Sequence, residues 1–279
     1  MSLKPVNREE LHAVIDWTRD YVNGTGARGV LLGLSGGADS AATAAILAQA
    51  IGTDRVLAIG IPIDSAAYAL EDAHKLAEWL GITMIDRSLD GTFTTFMREA
   101  QIKEHRAYLY ASDEQRVKAN GNVKARLRTT LARFWAEING YLFVNTCNWS
   151  ETIVGYDTKG GGDADGDFSI LMQFVKQDVW DILALLGAPQ WIIDKIPSAD
   201  LEGETEDGQR QSDETDLQMT YAELDRFASA MATGGASEVE HLADPTSKRE
   251  RFFQLVSATR HKRAPMPVFK REGFNYEEK

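Results

Sequence analysis

The chain has 279 residues, 43% hydrophobic and 26% charged, enough apolar material for one large or two small domains with a sizeable core. Its formal net charge of -12 disfavours a nucleic-acid binder held through phosphate contacts, and no apolar run approaches the ~18 residues needed to span a bilayer. Cys147 is the only cysteine, which excludes an internal disulfide framework and a multi-cysteine zinc site.

The N-terminus carries no apolar signal segment, so a cytoplasmic protein is expected. Leu11, Val14, Ile15, Trp17 and Val22 recur at helical spacing and predict an amphipathic helix over 8–22. Residues 24–29 spell GxGxxG but precede the first strand, so they are read as a connection and not as a dinucleotide site. Residues 30–34 form an apolar strand, and Ser35-Gly36-Gly37-Ala38-Asp39-Ser40 then leads directly into an alanine-rich helix over 41–50. Further strands are predicted at 55–62, 82–86 and 141–146, with helices at 66–80, 92–106 and 122–138. Alternation of strands and helices with short joints implies a doubly wound parallel sheet flanked by helices, with ligands at the carboxyl ends of its strands. A polar glycine-rich loop follows over 155–168, of a length usually kept for function. Its Asp163, Asp165 and Asp167 alternate as in a calcium loop, but the glycine is misplaced and Phe174 stands where a bidentate glutamate should be. After a helix over 177–186, residues 199–216 hold eight acids and one arginine and predict a mobile surface loop. Helices at 221–231 and 248–260 and a basic tetrad, Arg260 to Arg263, complete the pattern.

Strand, glycine turn and helix in this order make a phosphate nest: the glycines let backbone approach an anion, and the helix's first N–H groups are free to bind it. No Walker-type lysine follows the glycines; Asp39 stands there instead. A carboxylate beside a phosphate needs a cation between them, so Asp39 predicts Mg²⁺ on phosphate oxygens, with helix capping as the alternative. Glu151, just past the fourth strand, is a second candidate ligand or else an ordinary helix-start glutamate. Lys159 and Lys176 flank the aspartate-rich loop as candidate phosphate partners, with an ordinary surface lysine as the default for either. Lys124 and Arg128 share a helix face, for which a solvated surface is the ordinary expectation, while Arg126 points elsewhere. Cys147 reads as a core residue. From the residues alone, the chain is an α/β nucleotide-binding enzyme that uses ATP and Mg²⁺.

Ser35-Gly-Gly-x-Asp39-Ser40 resembles the pyrophosphatase-type loop of ATP-dependent synthetases, which cleave ATP between its α and β phosphates. The motif alone does not choose among NAD, GMP and asparagine synthetases and tRNA-thiolation enzymes. The ordered set Asn122-Val-Lys-Ala-Arg126, Thr146 with Glu151, Gly155-x-x-Thr-Lys159, Lys195 to Leu201, Asp213-Glu214 and His261-Lys-Arg263 resembles the ammonia-dependent NAD synthetases from about residue 10 to residue 270. That resemblance implies a single domain over 1–279 with an adenine-nucleotide α-hydrolase-like fold and C-terminal helices. It implies a homodimer that amidates deamido-NAD (nicotinic acid adenine dinucleotide) through an acyl-adenylate. Residue by residue, it implies ATP contacts at Gly33, Leu34, Ser35, Gly36, Gly37, Ala38, Asp39, Ser40, Thr146, Lys176 and Ser198. Asp39, Lys176 and Ser198 would be catalytic, and Asp39 and Glu151 would hold Mg²⁺. Arg126, Lys159, Asp167, His261 and Lys262 would contact deamido-NAD. Glutamine-dependent relatives carry an added amidase domain, for which this chain has no room, so free ammonia is the expected donor. The acidic 199–216 loop would act as a lid.

The chain departs from the family pattern in four places. The loop 158–167 is one residue longer and lacks a tyrosine, so Asp163 or Asp165 is an alternative to Asp167. Ile61-Pro-Ile-Asp64 replaces Leu-Pro-Tyr-Gly, Ser198 replaces threonine and Gln218 replaces glycine. Two rival readings are another adenylating enzyme, GMP-synthetase-like or tRNA-modifying, and a non-catalytic adenine-nucleotide binding module.

Overall fold

A computed structural model of the protein describes residues 4–65, 67–197 and 212–264. Helix α1 (Arg8–Thr25) starts where Asn7 accepts the Glu10 N–H and stops at Gly26 with φ 75°. Strand β1 (Gly29–Gly33) passes through the phosphate-loop motif into α2 (Ala38–Ile51). There follow β2 (Val56–Gly60), α3 (Ala67–Leu80), β3 (Thr83–Asp86) and α4 (Asp90–Glu99). The helix predicted over 92–106 is two helices, because Gln101 turns the chain at φ 50° before the short α5 (Arg106–Tyr110). Helix α6 (Asp113–Asn139) begins earlier than predicted, at a reciprocal cap between Ser112 and Gln115, and ends at Gly140 with φ 65°.

Strand β4 (Tyr141–Asn145) leads into α7 (Trp149–Val154), and a fifth strand, β5 (Phe168–Ser169), was not predicted. Two residues are too few to show a strand period. Helices α8 (Lys176–Leu185) and α9 (Gln190–Ile193) follow. Ser198 and residues 199–211 lie outside the described residues, and with them most of the predicted acidic loop. Its end is a short helix, α10 (Asp213–Leu217), with Asp213 buried. The chain closes with α11 (Tyr221–Glu240), α12 (Thr246–Ala258) and α13 (Arg260–Arg263).

The strands form one all-parallel sheet in the order β3-β2-β1-β4-β5. Val30, Leu31 and Leu32 of β1 are fully buried, as a central parallel strand covered on both faces requires. Val30 and Leu32 pack with α1, α2, α3 and α8, whereas Leu31, Ile59 and Phe143 face Ala132 and Ala136 of α6. A second apolar cluster joins α7, α10, α11 and α12 through Tyr221, Leu224, Phe227 and Phe252. The chain leaves β3 at one edge and returns as β4 on the far side of β1. The switch point of the sheet therefore lies between β1 and β4, where a doubly wound fold has its crevice.

Candidate active site

The loop after β1 starts from a fixed point, with Leu34 N–H donating to Ile59 O at 3.0 Å. Gly36 turns it at φ 77°, where an added Cβ would lie 3.0 Å from both Ala69 O and Asp72 Cβ. Ser40 Oγ accepts from the Ser35 N–H at 3.3 Å and lies 3.2 Å from Ser35 Oγ. It donates to Gly37 O at 3.0 Å, and Gly37 N–H donates to Ser35 Oγ at 3.3 Å. The two serines thus close the nest on itself. From outside, Lys195 Nζ donates to Gly36 O at 2.9 Å and pairs with Asp72 at 2.8 Å. Pinning that carbonyl fixes the same peptide's N–H, on Gly37. Burial pushes the Asp72 carboxyl up, but Lys195 and Lys75 outweigh it and hold it below the usual range.

Asp39 and Glu151 converge on Lys176. The Lys176 ammonium is buried, donates to Asp39 and lies 3.4 Å from Glu151 Oε1. Asp39 does not cap its own helix; Asn148 Nδ2 donates to it at 2.7 Å, while Asn148 Oδ1 caps α7 by accepting from Glu151 N–H at 3.0 Å. One asparagine thereby ties the first turn of α2 to the first turn of α7. Burial alone would lower the Lys176 pKa, but Asp39 and Glu151 together hold it above its ordinary value. Two carboxylates on one centre form a hard oxygen pair of the kind that binds Mg²⁺ together with phosphate oxygens and water. The donor set therefore fits that ion. Thr146 is buried beside this centre in sequence, just past β4.

Lys176 owes its place to α11. Asp225 accepts from Gln177 N–H at 2.8 Å and from Lys176 N–H at 3.3 Å, and it also takes the Ser150 hydroxyl. Asp178 accepts from Val175 N–H at 2.9 Å in the same turn. Burial pushes the Asp178 carboxyl up to about 6, helped by Asp225, Asp181 and Glu10. A carboxylate raised above its unfolded value adds stability that is complete below about 3.8 and lost as pH rises through about 6. Asp178→Asn keeps the cap's acceptor and removes the charge. It should raise stability at pH 7.5 by about 1–3 kcal/mol and flatten the pH 4–6 slope of the melting temperature. Melting curves across that range test this; an unchanged slope would contradict it.

A second group assembles around the loop 155–168. Arg126 Nη2 donates to Lys159 O at 3.1 Å, and Lys159 Nζ donates to His261 O at 2.6 Å. Lys262 Nζ donates to Gly155 O at 2.6 Å and pairs with Asp157 at 3.5 Å, which docks α13 on the end of α7. Arg126, Lys159, His261 and Lys262 are therefore neighbours.

Asp167 is placed differently. Its carboxylate accepts from Arg133 Nη1 at 3.1 Å and from Phe143 N–H at 2.8 Å, and so is engaged with β4. Asp165 takes both other guanidinium nitrogens of Arg133 at 2.8 Å. The whole loop is laid along one stripe of α6: Asn122 accepts from the Thr158 hydroxyl at 2.7 Å, and Thr129 Oγ1 accepts from Gly162 N–H at 2.6 Å. Gly161 and Gly166 allow the contact, since an added Cβ would lie 2.9 Å from Arg126 Cα or 2.4 Å from Asn145 N. Gly166→Ala should thus destabilise the protein by about 1–3 kcal/mol in a urea titration, as overpacking against backbone does. A variant as stable as the parent would show that β4 can yield there.

The solvated face expected for Lys124 and Arg128 is corrected. Lys124 is buried and pairs with Asp64 at 3.2 Å, and Arg128 donates to Ile61 O at 2.9 Å and Ser65 Oγ at 3.1 Å. They clamp the loop after β2, in which Asp64 holds φ 49° where the family pattern has glycine. Sequence reasoning did not single out Asn148, Lys195, Asp225 or Tyr221 individually. Each is one polar residue whose partner lies in a different element, and no local spacing marks it.

A five-stranded parallel sheet, a nest at its switch point and a carboxylate–lysine centre beside it define a protein of the adenine-nucleotide α-hydrolase fold. The sequence profile of the NAD synthase family matches residues 10–266. The chain is 35% identical over 263 residues to the NH(3)-dependent NAD(+) synthetase of Methanosarcina mazei, covering 91% of this chain and 95% of that one. Its structure is similar to that of NMN synthetase from Francisella tularensis, with TM-score 0.78 and 28% identity over 94% of this chain and 98% of that one. It is also similar in fold to the NH3-dependent NAD synthetase of Campylobacter jejuni, with TM-score 0.74 and 20% identity over 95% and 100% of the two chains. The chain belongs to the NAD synthase family.

Proposed function

We propose that this protein is an ammonia-dependent NAD synthetase, which converts the nicotinate carboxylate of deamido-NAD to the carboxamide at the expense of ATP. The observation that carries the reading is the Asp39–Lys176–Glu151 centre beside the Ser35–Ser40 nest, in a chain of this family. A carboxylate is a poor acceptor for ammonia. One of its oxygens attacks the α-phosphorus of ATP, the bond to the β-phosphate oxygen breaks, and pyrophosphate leaves with its electron pair. Ammonia then adds to the acyl carbon of the adenylate, loses a proton, and AMP departs with the former carboxylate oxygen.

The chain's own residues position two anions and offset their charge. The N–H groups at the start of α2 receive ATP phosphates, and Lys195 fixes the Gly36–Gly37 peptide that leads into them. Thr146 and Ser198 are proposed as further ATP contacts, and Lys176 supplies a positive charge to the phosphoryl group. Asp39 and Glu151 would hold Mg²⁺, which when bound screens the phosphates and polarises them toward attack. Arg126, Lys159, His261 and Lys262 are proposed to receive the acid dinucleotide. Asp167 is left in a supporting role, because Arg133 and β4 already engage it.

Phe134 and Ile138 stand exposed one turn apart on α6, which supports a homodimer. Among the described residues no helix is long and apolar enough to cross a membrane, and a single cysteine in the whole sequence suits a reducing cytoplasm.

The test is turnover with ATP, Mg²⁺, ammonium and deamido-NAD, in which NAD, AMP and pyrophosphate should appear in equal amounts. Pyrophosphate release that ignores deamido-NAD would overturn the reading. The Francisella tularensis neighbour favours a second acceptor, nicotinic acid mononucleotide, whose carboxyl chemistry is the same. A higher kcat/KM for the mononucleotide would make that the substrate.

A further inference from the structure

Tyr221 and Asp213, both buried, and the half-buried Tyr156 form a polar chain that the amidation chemistry above does not use. Tyr221 is almost fully enclosed; its hydroxyl lies 3.1 Å from Glu151 Oε1 and 3.0 Å from Asp213 Oδ2. Tyr156 repeats the arrangement one link further out, at 3.1 Å from Asp213 Oδ1 and 2.8 Å from Asp216 Oδ2. Each phenol has one hydrogen and two carboxylate acceptors, so each can donate to only one of them at a time. Glu151 Oε1 meets both Lys176 and Tyr221, and both contacts bear on the rotation of its carboxylate. The Tyr221 ring also lies 4.9 Å from Lys176 Nζ.

We propose that Tyr221 is a positioning residue for the divalent-cation site. Its hydroxyl donates to Glu151 Oε1 and holds that carboxylate in place for the cation. The inference rests on the reading that Asp39 and Glu151 hold the metal. Its physical basis is that a buried acceptor left without a donor is unfavourable. With two phenols in series, Tyr221 can stay on Glu151 while Tyr156 gives Asp213 its donor. The tyrosine ring fills the C-terminal apolar cluster, so removing only the hydroxyl leaves the packing in place.

Mn²⁺ serves as the probe, with free ion counted by electron paramagnetic resonance in the presence of a non-hydrolysable ATP analogue, well below the melting temperature. Tyr221→Phe should weaken Mn²⁺ binding about tenfold, in the range of outer-shell partners of metal ligands. KM for the acid substrate should stay within about twofold of the parent value. Tyr156→Phe, one link further from Glu151, should weaken Mn²⁺ binding by no more than about threefold, and it carries the test if Tyr221→Phe does not fold. Parental Mn²⁺ affinity in Tyr221→Phe, or a larger loss in Tyr156→Phe than in Tyr221→Phe, overturns the proposal. Asp39→Asn separates the two levels. If it too binds Mn²⁺ like the parent, the metal reading fails and this inference with it; if it loses Mn²⁺ while Tyr221→Phe does not, only the inference fails.

Discussion

Lys176→Met should abolish turnover and destabilise the protein by about 3–5 kcal/mol, the usual consequence of removing one partner from a buried ion pair. Asp39, Glu151 and Asp213 would be left facing one another without the Lys176 ammonium. Burial already pushes Asp213 up despite Lys176, Tyr221 and Tyr156, so loss of the lysine strengthens the repulsion. A divalent cation can replace that lost charge. Mg²⁺ alone, without nucleotide, should therefore raise the stability of Lys176→Met more than that of the parent. Urea titrations with and without Mg²⁺ measure both effects. Equal stabilisation of the two proteins would mean that the carboxylates do not form a cation site.

Asp39→Asn should separate chemistry from folding in the opposite way. Turnover should fall by about a thousandfold or more, since several kcal/mol of charge stabilisation depend on this carboxylate. The fold should survive, because Glu151 still offsets the Lys176 ammonium and the asparagine amide can accept from Asn148. A melting temperature within a few degrees of the parent, combined with the rate loss, is the expected pair of results. An unchanged rate would remove Asp39 from the site.

The residues of this centre were legible in the sequence for a simple reason. Asp39 and Glu151 lie in the first turns that follow β1 and β4, and parallel strands bring their carboxyl ends to one rim however far apart they are in the chain. Lys176 stands out in the sequence only as one of two lysines flanking the aspartate-rich loop. Its place at this centre comes through the family pattern, since its position depends on Asp225 of α11 holding the α8 N-terminus. Strand β5 is too short for periodicity to register. The stripe Asn122, Arg126, Thr129 and Arg133 has helical spacing, but polar residues at that spacing normally face water. Here they face a glycine-rich loop that brings its own carboxylates and backbone donors. That loop has the composition of a mobile segment, yet Arg133 and the close approaches at Gly161 and Gly166 pin it to α6 and β4. Composition reports what a segment can bury by itself and not what a neighbouring helix supplies. Asp64 shows the same limit, since its left-handed backbone fits the glycine of the family pattern but its clamp by Lys124 could not be read locally.

Adenylation of the substrate's own carboxylate is the central step, and isotope transfer observes it directly. Deamido-NAD labelled with oxygen-18 in both carboxylate oxygens, turned over with ATP, Mg²⁺ and ammonia, should yield AMP carrying a single labelled oxygen, NAD retaining the other, and unlabelled pyrophosphate. AMP without label, or label in the pyrophosphate, would contradict attack at the α-phosphorus by that carboxylate.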